Sequence, residues 1–328
     1  GSTGEPKGVM LTHAGLVNLA HWQLSTFGAG PGSQVLQFSS LSFDACTWEW
    51  SMALCHGATL CMAHRSDLMP GPALWRTLHQ LRITHATLPP VALNAMSGML
   101  GDPSLPDLHT LVVAGEACSA QLLAQWAKGR RFFNAYGPTE TTVCATAHLC
   151  DPGQASAPPI GRPMANARVY VLDAHGHPTP TGVPGEIYIG GAGVARGYLN
   201  KADLSAVRFL ADPFCAGDTG ARMYRTGDLG RWQADGTLAF LGRCDHQVKL
   251  HGLRIELGEI ESILLSQHQV RDAVVLTQGT AGEEQSLTAY LALHAPDLDA
   301  PGQQALIEDC RTQLRARLPA YMVPGAFV

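Results

Sequence analysis

Apolar positions along the chain follow two periods. From Ala14 to Phe27 they recur at helical spacing, with Leu16, Leu19 and Ala20 on one face, Thr12 at the N-cap and Gly28 at the end. Ala120 to Lys128 repeats that pattern between Ser119 and Gly129, and a final helix from Gln303 to Leu318 turns Leu306, Cys310 and Leu314 inward. ITHATLPP and LHTLVVAGEA are short apolar runs that read as parallel strands leaving into loops. VLQFSSLSFDACTWEWSMALCHGATLCM alternates strand-like runs with a helix-like middle. This alternation predicts an α/β fold: a large N-terminal core of mixed sheets sandwiched by helices, with ligands collecting beyond the carboxyl ends of strands. From Pro158 the pattern shortens to ARVYVLD, GEIYIGG and LAFLGR with turn signals between, which predicts a small β-barrel-like part or meander. QADGT is its hairpin turn. From about Cys244 the stretch GRCDHQVKLHGLRIELGEIE leads into a helix with Ile260, Ile263 and Leu264 on one face, followed by the strands DAVVLTQ and SLTAYLAL. The predicted division is therefore a large domain over 1–244 and a small α+β subdomain over 245–328.

Composition narrows the class. The 328 residues suffice for two domains, and 46% hydrophobic with 15% charged residues describes a chain with a full interior. A net charge of -5 and the absence of any Lys/Arg run leave no footprint for nucleic acid. No apolar run approaches a membrane span and the N-terminus has no signal-peptide pattern, so a cytoplasmic location is expected. The nine cysteines include no C-x-x-C pair, and Cys46, Cys55 and Cys61 read as buried thiols. His175 and His177, in AHGHPTP, read as a polar turn. Only four lysines occur: Lys7, Lys128, Lys201 and Lys249.

Candidate chemistry gathers in NAYGPTETT. The run RRFF enters a tight Gly137-Pro138 turn, bringing Tyr136, Thr139 and Glu140 within five residues. That set offers a flat face for a base, a donor for a phosphate oxygen and an oxygen ligand for Mg²⁺. GSTGEPKGV is a Gly-rich loop able to wrap phosphate, but Lys7 between Pro6 and Gly8 does not fit the Walker pattern. Asp44 stands among Phe43, Ala45, Cys46 and Trp48, where an acid is costly to bury unless it meets a cation. It also occupies the expected N-cap of a helix, and the two roles are compatible. Asp228, in YRTGDL, reads equally as an ordinary turn.

Taken together, GSTGEPKGV, FDACTWEW, NAYGPTE, GEIYIGGAGVARGYL, YRTGDL, GRCDHQVKLHGLRIELGEIE and LPAYMVP resemble, in order and spacing, the core motifs of the adenylate-forming (AMP-binding) superfamily. More narrowly, they are similar to adenylation domains of nonribosomal peptide synthetases. The resemblance implies an ATP-dependent ligase that activates an amino acid as aminoacyl-AMP with Mg-ATP. It then passes the acyl group to the phosphopantetheine thiol of a peptidyl carrier protein, in company with neighbouring synthetase domains. It implies that Ser2, Thr3, Gly4 and Lys7 hold the β- and γ-phosphates. Gly115, Glu116, Asn134 and Tyr136 would frame adenine, with Tyr136 stacking on it. Thr139 would touch the α-phosphate, Glu140 would ligate Mg²⁺, and Asp228, assisted by Arg243, would take the ribose hydroxyls. Asp245 would be the hinge of a mobile C-terminal subdomain and Gly252 would face the pantetheine arm. His251 departs from the family's usual Arg there, and Lys249 matches the hinge-side motif. By the same comparison the family's front region and its C-terminal lysine loop are expected to be absent, so that this fragment could be inactive.

The resemblance also implies a substrate. Asp44 would pair with the α-ammonium, and Ala45, Trp48, Thr87, Val112, Ala114, Ala135, Val143 and Cys144 would line the side-chain pocket. None is charged and three are Ala, which suits a bulky apolar side chain and is similar to the family's L-phenylalanine pattern. Tyrosine or tryptophan would need a polar partner from Thr87 or Cys144. An aryl or acyl acid ligase of the same superfamily is the alternative, and a fragment with only partial ligand binding is a third reading.

Overall fold

The computed structural model describes residues 7–99, 105–217, 219–244, 247–250, 253–278, 286–294 and 299–328. It divides into two compact units, Gly8–Cys244 and a smaller one built on Asp245–Val328.

The larger unit is organised by a seven-stranded sheet of β1 (Gln34–Leu36), β2 (Thr59–Cys61), β3 (His85–Leu88), β4 (Thr110–Val113), β5 (Arg131–Tyr136), β6 (Thr146–Leu149) and β7 (Arg162–Pro163), in the order β2-β1-β3-β4-β5-β6-β7. Pairing is parallel from β2 to β5, then antiparallel through β6 and β7. Its helices are α1 (His13–Phe27), α2 (Ala45–Leu54), α3 (Pro72–Gln80), α4 (Pro90–Asn94) and α5 (Ala120–Trp126). Successive side chains of a strand point to opposite faces, and here both faces are covered. Leu111, Val113 and Phe132 pack with Trp75 of α3 and Trp126 of α5, whereas Val112 and Phe133 pack with Leu19 and Phe27 of α1 and Trp48 of α2. Strands buried on both sides need no polar alternation, which is why these runs are apolar throughout.

Caps mark the helix ends. Thr12 Oγ1 accepts from Gly15 N–H at 3.2 Å and Ser119 Oγ from Leu122 N–H at 3.1 Å. Gly28 stops α1 at φ 75°. The helix expected to run to Lys128 ends at Trp126, because Ala127 already closes its last turn and Gly129 takes φ 78°.

A second sheet holds β8 (Ala167–Leu172), β9 (Gly185–Gly191), β10 (Phe209–Ala211), β11 (Arg222–Trp232) and β12 (Leu238–Arg243), with α6 (Ala202–Arg208) beside it. Its strands run antiparallel in the order β10-β11-β9-β8, with β12 on β11, and no pairing among the described residues closes it into a barrel. The register of β11 against β9 breaks between Arg225 and Leu229. Such an irregularity re-aims side chains, and Asp228 lies within it.

The smaller unit contains a hairpin of β13 (Gln247–Leu250) and β14 (Leu253–Glu256), then α7 (Leu257–Leu265). A sheet of β15 (Val270–Gln278), β16 (Ser286–Leu293) and β17 (Ala326–Phe327) and the long α8 (Ala300–Arg317) complete it. Ile260, Ile263 and Leu264 of α7 meet Leu306, Cys310 and Leu314 of α8 in one core, as the sequence periodicity predicts. Of the three thiols expected to be buried, Cys46 and Cys61 are, while Cys55 is exposed at the end of α2. His175 and His177 sit on an exposed turn held by Asp173.

Candidate active site

The carboxyl end of β5 delivers a strained loop. After Tyr136 the chain turns at Gly137, where an added Cβ would lie 2.4 Å from Cys144 Cα, so no side chain fits. Thr139–Thr141 form one 3₁₀ turn, and Thr142 and Val143 follow at φ 61° and 69°. Two consecutive β-branched residues in the left-handed region cost about 1–2 kcal/mol each, so the surroundings must hold them there. Thr142 Oγ1 donates to the Gly193 carbonyl at 2.7 Å, an anchor from the GGAGVARGYL stretch.

This loop gathers oxygen groups around Glu140. The Glu140 carboxylate is buried, and Tyr198 O–H donates to its Oε1 at 2.7 Å. Tyr224 O–H lies 3.3 Å from Tyr198 O–H. Burial, and next the neighbouring Glu140 charge, push the Tyr198 phenol far above its ordinary range, so it remains a neutral donor. Asp44, at the start of α2, belongs to the same group. Burial raises its carboxyl, a hydrogen bond from Thr139 lowers it, and the Glu140 charge raises it again. A carboxyl held up by burial and by a second acid is one that a bound cation would stabilise. Asp44 occupies the N-cap position of α2 but makes no capping bond to its N2 or N3 amides; its carboxyl meets the Ala45 N–H instead.

The second sheet contributes the base and ribose candidates. Tyr136 O–H donates to Asp228 Oδ2 at 2.5 Å, Arg243 pairs with Asp228 Oδ1, and Arg243 Nη2 donates to the Thr226 carbonyl at 3.2 Å. Asp228 and Tyr136 are both buried, and the Tyr136 ring lies 6.1 Å from that of Phe240. Asn134 turns elsewhere: its Nδ2 donates to the Pro158 and Pro159 carbonyls at 3.2 and 2.9 Å. Gly115 takes φ 90° in the loop after β4, and Glu116 Oε2 accepts from Val91 N–H at 3.4 Å.

Of the pocket positions, Trp48, Val112, Ala114, Ala135, Val143 and Cys144 share one apolar cluster between α1, α2 and the sheet. Thr87 joins through its Oγ1, which accepts from Trp48 Nε1 at 2.8 Å, and Ala45 follows Asp44 as the first residue of α2. Burial pushes the Cys144 thiol up to about 12, so it lines the cluster as a neutral group. Its Sγ is engaged by the Tyr136 and Thr146 carbonyls at 3.6 and 3.4 Å. Ser2, Thr3, Gly4, Asp245, His251 and Gly252 lie outside the described residues, as does the Lys249 side chain, and Lys7 lies outside the larger unit. Sequence reasoning overlooked Tyr198, Tyr224 and Phe240. Each stood in a stretch already singled out: the signal for Tyr198 and Tyr224 was an aromatic hydroxyl inside GEIYIGGAGVARGYL and YRTGDL, and for Phe240 an aromatic ring in the strand LAFLGR.

The AMP-binding enzyme family matches residues 1–199. The chain belongs to it. Linear gramicidin synthase subunits D and C of Brevibacillus parabrevis are 50% and 51% identical over the whole chain, which spans only 6% and 4% of their lengths. Among solved structures, the Vibrio cholerae adenylation domain AlmE, in complex with glycyl-adenosine-5'-phosphate, is 26% identical with a TM-score of 0.87. That likeness covers 100% of this chain and 61% of that one. PA1221, which contains adenylation and PCP domains, is 30% identical with a TM-score of 0.83, over 100% and 55%. Within the family the likeness is thus to adenylation domains of nonribosomal peptide synthetases.

Proposed function

We propose that the chain activates L-phenylalanine as its adenylate and passes the acyl group to the phosphopantetheine thiol of a carrier protein within a nonribosomal peptide synthetase. The observation that carries the reading is Asp44: a carboxyl raised by burial, beside Thr139 and Glu140, adjoining an uncharged cluster. An α-ammonium would neutralise it, which an acid lacking that group cannot do. A substrate carboxylate oxygen attacks the α-phosphorus of ATP and the bond to pyrophosphate breaks. The thiol sulfur then attacks the acyl carbon, AMP leaves with the acyl-oxygen electron pair, and the thiol proton passes to solvent or base.

The chain's residues position and neutralise. Thr139, whose hydroxyl bonds Asp44 here, is assigned to a phosphate oxygen, and Glu140, oriented by Tyr198, offers an anionic oxygen. The Glu140 carboxylate and the Thr139, Tyr198 and Tyr224 hydroxyls near it offer only oxygen, which fits Mg²⁺ better than a softer metal, with Glu140 the residue that would hold it. No group of three His, Cys, Asp or Glu able to hold a metal occurs among the described residues, consistent with an ion shared with substrate phosphates. Mg²⁺ there would neutralise charge on the phosphates. Arg243 and Tyr136 orient Asp228 towards the ribose, and Lys7, Ser2, Thr3 and Gly4 are assigned to the β- and γ-phosphates. Asp245 is proposed as the hinge, with Gly252 facing the pantetheine arm.

Of Thr87 and Cys144, the polar partners a tyrosine substrate would need, Cys144 is already engaged by backbone carbonyls and Thr87 already accepts from Trp48, which leaves only the Thr87 O–H to offer. That favours phenylalanine. Asp44→Ala removes one side of a buried charge pair, worth about 3–5 kcal/mol. Amino-acid-dependent pyrophosphate exchange by that variant is therefore expected to fall more than about 100-fold. An unchanged rate would remove Asp44 from ammonium binding, and exchange with an aryl or acyl acid but with no amino acid would favour the alternative substrate.

A further inference from the structure

Glu49 is a buried acid that the proposed chemistry leaves unused. It lies on α2, five residues after Asp44. Ser39 N–H donates to both its carboxyl oxygens, at 3.1 and 3.0 Å, and Gln37 Nε2 donates to Oε2 at 2.5 Å. The same Gln37 amide donates to the Ser39 carbonyl at 3.0 Å. Gln37, Ser39 and Glu49 thereby close a ring that fastens the start of the β1–α2 connection to the body of α2.

Beyond this ring the connection is exposed from Ser40 to Phe43, with Leu41 at 85%. Its bonds there are local: Phe43 N–H to the Ser40 carbonyl at 2.9 Å and Ser42 N–H to Ser40 Oγ at 3.3 Å. The chain then enters α2 through Asp44, whose side chain does not cap the helix. The placement of that carboxyl is therefore set by where the connection meets the helix, and the ring fixes that point from the other side.

We propose that Glu49, with Gln37, is the positioning residue of the amino-acid subsite, latching the segment that presents Asp44. This rests on the reading that Asp44 receives the substrate ammonium. The groups assigned to ATP come from residues 2–7, from the loop after β4, from β5 and the loop after it, and from β11 and β12, and none belongs to the β1–α2 connection, so loss of the latch falls chiefly on the amino acid.

The test is calorimetric titration of the wild-type chain and of Glu49→Ala, Glu49→Gln, Gln37→Ala and Asp44→Ala, each with phenylalanine and with ATP. A misplacement of about 1 Å costs on the order of 100-fold at a reacting site. Glu49→Ala is accordingly expected to weaken phenylalanine binding by about tenfold or more while ATP binding stays within about twofold. Gln37→Ala has a smaller effect in the same direction, and Glu49→Gln, which keeps the shape and one acceptor, recovers most of the loss. Unchanged phenylalanine binding in both Glu49→Ala and Gln37→Ala overturns the latch, as does an equal loss for both ligands. Should Glu49→Ala fail to fold, Gln37→Ala decides alone. If Asp44→Ala abolishes phenylalanine binding while the latch variants do not weaken it, only the latch is wrong. If Asp44→Ala or the wild type shows that Asp44 has no part in binding, the underlying reading falls with it.

Discussion

Four side chains illustrate what single residues do here. Cys144 Sγ is taken by two carbonyls and Thr87 Oγ1 already accepts from Trp48 Nε1, so the only donor these two leave for a substrate phenol is the Thr87 O–H, and a phenol that does not reach it goes unpartnered. An unsatisfied buried hydroxyl costs about 1–3 kcal/mol, and phenylalanine is expected to exchange roughly 10- to 100-fold better than tyrosine. Equal rates would show that a partner exists. Tyr198 acts on Glu140 through one hydroxyl. Tyr198→Phe is expected to raise the Mg²⁺ concentration needed for half-maximal exchange several-fold, with melting temperature little changed, and an unaltered Mg²⁺ requirement would remove Tyr198 from this role. Glu49 carries a pH signature: burial pushes its carboxyl from the ordinary 4.5 up to about 8, against the pull of the Ser39 N–H. Between those values the folded chain holds a proton that the unfolded chain has released. Stability therefore falls as pH climbs through that window and levels off above it. Glu49→Gln is expected to flatten this slope in denaturant titrations at a series of pH values.

At the scale of elements, helices with caps were legible and strand ends were not. Thr12, Ser119 and Gly28 stand where the sequence places them, because capping is chemistry local to a few residues. The roles of Tyr198 and Tyr224 were not legible, since the Tyr198 hydroxyl meets Glu140, and that of Tyr224 meets Tyr198, only after β11 and the stretch following β9 fold beside the loop from β5. Asn134 was legible only in part: its motif places it in the site, but the Pro158 and Pro159 carbonyls that its Nδ2 binds are partners no local pattern reveals. Asp228 is intermediate. Its TGD turn is common, and what distinguishes it is the break in register between β11 and β9. The loop 137–144 offers a test at this scale. Gly137→Ala forces a methyl against Cys144 Cα and is expected to cost at least about 1–3 kcal/mol in thermal or denaturant unfolding. Wild-type stability would contradict the packing described.

Across the whole molecule, the sequence patterning separated two cores, and the structure gives each unit its own. Trp75, Trp126 and Phe132 lie at the centre of one core in the larger unit, while Ile260, Cys310 and Leu314 lie in that of the smaller. Leu314→Ala is expected to cost about 2–5 kcal/mol, lowering the calorimetric transition of the smaller unit and leaving that of the larger near its wild-type midpoint. Trp126→Ala is expected to do the reverse. A common shift of a single transition in both variants would show that the two units unfold together.

The central claim, an ammonium-binding acid beside an uncharged pocket, is tested most directly by pyrophosphate exchange with each of the twenty amino acids. The chain would be assayed as it stands and extended at both ends by a relative's flanking sequence, with Asp44→Ala in parallel. The account predicts strongest exchange with phenylalanine and its loss in Asp44→Ala. Strongest exchange with a charged or small amino acid, or undiminished exchange by Asp44→Ala, would contradict it.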